Sequence, residues 1–99
     1  MNNVNAFHEP FPLTANLLEQ LGMEIDKLIA QGVNEQTRLT ERYPNVRITL
    51  CSEDEMGCRE PYQSYGHYDL YLYAQQASGC LTLTHYPEAS SGLVVALHE

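Results

Sequence analysis

Basic residues are scarce in this chain: five lysines and arginines stand against thirteen aspartates and glutamates, a formal charge of −8 over 99 residues. Phosphate backbones and anionic lipid surfaces repel such a chain, so neither nucleic acid nor a membrane is an expected partner. The acidity suits a basic partner, but it is also the commonest route to plain solubility. No run of roughly 18 apolar residues could span a bilayer. The opening MNNVNAFHEPFPL has neither a basic n-region nor an apolar h-region, and the expectation is a cytoplasmic protein. Cysteine is sparse as well: three thiols, an odd number, fit a reduced compartment better than a disulfide framework. Also missing are a Gly-rich phosphate loop, an H-E-x-x-H pair, internal repeats and low-complexity tracts. No catalytic constellation stands out, and the chain reads as a non-enzyme.

What is present is enough apolar residue, 43%, to fold, and a length that suits one small domain over 1–99. The clearest pattern is Tyr68 to Thr84, YDLYLYAQQASGCLTLT. Leu70, Leu72 and Ala74 alternate with Asp69, Tyr71 and Tyr73, and Leu81 and Leu83 alternate with Cys80, Thr82 and Thr84. Two period-2 runs around a short loop predict a β-hairpin. A two-residue loop at Gln76-Ala77 pairs Leu72 with Leu81 and Leu70 with Leu83 on one face, leaving Tyr73, Cys80, Tyr71, Thr82, Asp69 and Thr84 on the other.

Ahead of the hairpin, residues 1–13 read as an arm whose Phe7, Phe11 and Leu13 lie on the core. Thr14 as N-cap and Gly32 as C′ residue bound a helix over 15–31, with Leu17, Leu18, Leu21, Ile25, Leu28 and Ile29 on one side. Asn34 caps a second, short helix over 35–42, which Pro44 ends. Val46 to Cys51 alternates as a first strand, Leu93 to Leu97 as a last one. Between them, residues 52–67 lose all periodicity and predict a long irregular loop that is acidic and carries two tyrosines. The sum is an α+β fold: one long and one short N-terminal helix on one face of a four-stranded, mainly antiparallel sheet. Chain-neighbour rules pair the last strand with the 79–85 strand.

The outward face of that sheet is short of charge. Tyr71, Tyr73, Thr82, Thr84, Val94 and Ala96 make it a candidate interface, because tyrosine supplies large amphipathic area at low entropic cost. The competing explanation is that Tyr and Thr simply pair well across strands. Helices cover one face only, so a homodimer burying the other is the simplest expectation. A second set, Cys51, Cys58, His67 and Cys80, has the donor types zinc prefers, yet it lacks a C-x2-C pair. Such a set would make a metal-binding or redox-sensing protein; packing as small hydrophobes is the plainer reading. Cys58 beside Arg59 gains little as a nucleophile with Glu55 and Glu60 near. A calcium loop fails. With Gly57 at its sixth position, Ser52, Met56 and Gln63 fall where oxygen-rich ligands belong. The expected function is thus a small acidic protein-interaction module without a cofactor, with an acidic inhibitor or immunity-type protein as a further alternative.

Overall fold

The structure is a computed structural model and describes residues 14–44, 46–75, 79 and 81–98. The 1–13 arm, Cys80 and the Gln76-Ala77 turn lie outside the described residues. The first helix, α1 (Ala15–Ala30), starts where Thr14 Oγ1 accepts the Leu17 N–H at 3.2 Å. It ends in a Schellman turn: Gly32, at φ 97°, donates to Ile29, and Val33 donates to Leu28. The second helix, α2 (Gln36–Arg42), begins at Glu35 rather than at Asn34, without a side-chain cap.

Five strands follow: β1 (Ile48–Ser52), β2 (Gln63–Ser64), β3 (Tyr68–Gln75), β4 (Leu81–Thr84) and β5 (Gly92–Leu97). A one-turn helix, α3 (Glu53–Met56), follows β1 directly and is held by a Ser52–Glu55 capping box. The 52–67 stretch therefore carries α3 and β2 rather than running without structure. Across the sheet the order is β1, β5, β3, with β2 and β4 sharing the far side of β3. β5 lies parallel to β1 and antiparallel to β3, which makes the sheet mixed.

The last strand is thus central and does not pair with β4, contrary to the neighbour rule. Its sequence, GLVVAL, explains the position. A nearly continuous apolar run suits a strand covered on both faces, and Gly92, Leu93, Val95 and Ala96 are all buried.

One face carries the core. Leu18, Leu21 and Ile25 of α1 and Leu39 of α2 pack on Ile48, Leu70, Leu72, Leu93 and Val95. Tyr68 is fully buried among them, and its hydroxyl donates to the Gly22 carbonyl at 2.8 Å, the partner a buried tyrosine needs. Tyr65 stacks on Tyr68 with ring centres 5.1 Å apart and lies over Gly22, where a Cβ would come within 2.2 Å of its hydroxyl. One turn further along α1, Asp26 accepts the His67 backbone N–H at 2.9 Å. Glycine and aspartate thus let α1 clamp the turn that leads into β3. Burial first, then neighbouring Tyr65 and Asp26, pushes the Tyr68 pKa well above the usual tyrosine value. Tyr43, hydrogen-bonded to Glu24, is raised likewise, with burial again the largest cause.

Candidate functional site

The face away from the helices is where the register matters. Cross-strand partners share a face, and β3 pairs with β4 as Leu72–Thr84, Tyr73–Leu83, Ala74–Thr82 and Gln75–Leu81. The expected register, Leu72 opposite Leu81, is displaced by an odd number of residues, and every β4 side chain changes face. Leu81 and Leu83 join Tyr71 and Tyr73. Thr82 and Thr84, expected on that outer face, have their strand positions on the helix side. The cause lies in the packing: the buried core contains no β4 residue, so nothing rewards turning these leucines inward. Register is strongly specified only where one face is buried, and β4 runs beyond the helical cover.

The outer face is divided. Its lower half is covered by the chain itself. α3 packs on β1 and β5, the Tyr71 hydroxyl donates to the Arg59 carbonyl at 3.1 Å, and the Tyr62 N–H donates to Leu70 at 2.8 Å. Tyr71 is only 3% exposed and Ala96 0%. Both were expected on an open surface, and both lie under the 52–67 stretch. Tyr71 is held above the usual tyrosine pKa, chiefly by burial and then by Asp69.

The upper half stays open. Thr49, Tyr73, Leu81, Thr82, Leu83 and Val94 line a depression of about 210 Å³ without a charged group. Leu81 at its lip is 61% exposed. The Tyr73 ring lies on Gly92, its partner across the strands, where a Cβ would approach the ring to 2.3 Å. That missing side chain lets the tyrosine lie flat and form the floor. Of the six residues expected at an interface, Tyr73 and Val94 thus belong to the open half, and Thr82 borders the depression from a strand position on the helix side; the leucines beside them were expected in the core.

The candidate zinc donors Cys51, Cys58 and His67 do not come together among the described residues. Cys51 is half-buried on β1, its thiol pushed up by burial and by Glu55. Cys58 is exposed after α3, and His67 is engaged by Asp26, Nδ1 to Oδ1 at 3.1 Å. Instead Glu53, Asp69 and His98 place their donor atoms within 4.8 Å of one another. His98 Nε2 lies 2.8 Å from Asp69 Oδ1, and that hydrogen bond, ahead of the opposing burial, raises the imidazole pKa. In the sequence, only Asp69 of the three reads as part of the outward face. What was missing was the strand order: with the last strand set beside β4, Asp69 and His98 stayed two strands apart.

No curated protein and no solved structure matches the chain. Residues 27–98 match the family of unknown function DUF6129, and the chain belongs to that family.

Proposed function

We propose that the protein is a small non-catalytic interaction module that self-associates through the open half of its outer face, around Tyr73, Leu81, Leu83 and Val94. The observation that carries this reading is the charge-free depression with the exposed Leu81 at its lip, on a chain of net charge −8. A contiguous apolar patch of this kind marks an interaction site, whereas a single exposed leucine would not. A second copy suits it for two reasons. A protruding leucine and an apolar hollow in one patch are what a two-fold, self-complementary contact requires. In addition, β4 pairs with β3 on one side, and among the described residues no strand pairs with its other side. An edge of this sort can extend the sheet into a neighbour.

Sedimentation velocity over a concentration series tests the reading on wild type and Leu81→Asp. Wild type is expected to dimerise and the variant to stay monomeric with an unchanged circular dichroism spectrum. Full burial of each leucine stabilises by about 1.5–3 kcal/mol, and a two-fold contact loses two of them. A variant that dimerises as well as wild type would remove the open half as the interface.

A further inference from the structure

We propose that Glu53, Asp69 and His98 form a binding site for a divalent transition-metal ion. The three donors come from three separate elements: the first residue of α3, the outer face of β3 and the residue just past β5. Chain distance does not bring them together; the strand order does. A plain ion pair needs two partners, and here a third donor from another element comes within 4.8 Å of both.

The three donors are close enough for one ion to gather. Donors held about 2.1 Å from one metal can be no more than about 4.2 Å apart. His98 Nε2 and Asp69 Oδ1, 2.8 Å apart in a hydrogen bond, share a proton that an ion would replace, and all three donors lie within 4.8 Å of one another, so side-chain rotation has to close the remainder. The histidine's own N–H donates to the His67 carbonyl at 3.0 Å, so the ligand-bearing backbone continues the β3–β5 ladder. Sites built on strands hold their geometry better than sites built on loops.

Two carboxylates and one imidazole select the ion class. Carboxylates alone suit magnesium, calcium or manganese, whereas an imidazole donor shifts preference towards iron, nickel, copper or zinc. Three protein ligands leave positions open, as in sites that bind water or a small oxygen ligand rather than closed structural sites.

Manganese(II) titrated into the full-length protein and followed by NMR tests this. One equivalent is expected to broaden the imidazole resonances of His98 selectively, leaving those of His67 and His85, with zinc(II) reversing the effect by competition. Asp69→Asn keeps the side-chain shape and is expected to weaken manganese binding at least about tenfold, the scale on which lost contacts to such sites act. Broadening centred elsewhere, equal competition by magnesium, or an unaltered affinity in Asp69→Asn would overturn the proposal. The wild-type mapping decides even if the variant fails to fold.

Discussion

The two halves of the outer sheet face share strands and differ in what lies over them. Near the α3 end, Tyr71 and Ala96 are sealed by the chain's own 53–62 segment, with a hydroxyl-to-carbonyl bond fixing the tyrosine. Near the β4 end, Tyr73, Leu83 and Val94 meet no such cover, and Leu81 projects outward. Two tyrosines two residues apart on one strand therefore do different work. Tyr71 belongs to stability, and Tyr73 floors a surface. A side chain's direction along a strand does not settle its role; what the rest of the chain lays on top of it does.

Substitutions can break that comparison. The largest effect is expected from Tyr71→Ala, which empties a sealed position: a loss of about 3–5 kcal/mol, the cost of truncating a buried aromatic, read by urea denaturation. A loss below about 1 kcal/mol would mean the cover is loose and the halves are alike. Gly92→Ala comes next. Its new methyl group meets the Tyr73 ring at 2.3 Å, and lifting the ring is expected to cost about 1–3 kcal/mol, the range for overpacking. The same variant should lose self-association, because the floor of the depression is displaced.

Raised pH sharpens the contrast between the covered tyrosines and the open half. Tyr68, Tyr43, Tyr65 and Tyr71 all have folded-state pKa values raised mainly by burial. For a tyrosine the raised value favours the neutral form in the folded state. The unfolded chain loses its phenolic protons first, from about pH 10, so stability is full below that pH and falls as pH rises above it. A urea midpoint that declines beyond pH 10 is the expected profile, on top of the smaller loss as pH rises through the raised His98 pKa. The smallest stability effect belongs to Leu81→Asp, an exposed site, with a change within about 0.5 kcal/mol despite lost association.

Much of the helical layer was legible in the sequence, because its signals are local. Thr14, the leucine spacing and Gly32 each act within a few residues, and α1 begins and ends where they indicate. The α+β class followed from the same periodicities. The sheet was less legible. Parity in the 68–84 hairpin assumed that Leu81 and Leu83 are core residues, and that depends on where α1 stops, which no β4 residue encodes. The place of β5 was present in its unbroken apolar run but yielded to a chain-neighbour rule. That one choice also hid the meeting of Asp69 with His98 and Glu53. The cover over Tyr71 is set by Arg59 and Tyr62 backbone contacts, which side-chain patterning does not report.

The salt dependence of association tests the central claim most directly. Two copies that each carry −8 repel at long range, and salt screens that repulsion while leaving an apolar contact intact. Sedimentation velocity from 20 mM to 500 mM sodium chloride, conditions spanning Debye lengths from about 20 Å down to about 4 Å, should show the dimer strengthening as salt rises. A chain that stays monomeric throughout, or that binds a basic partner which salt then releases, would contradict the account.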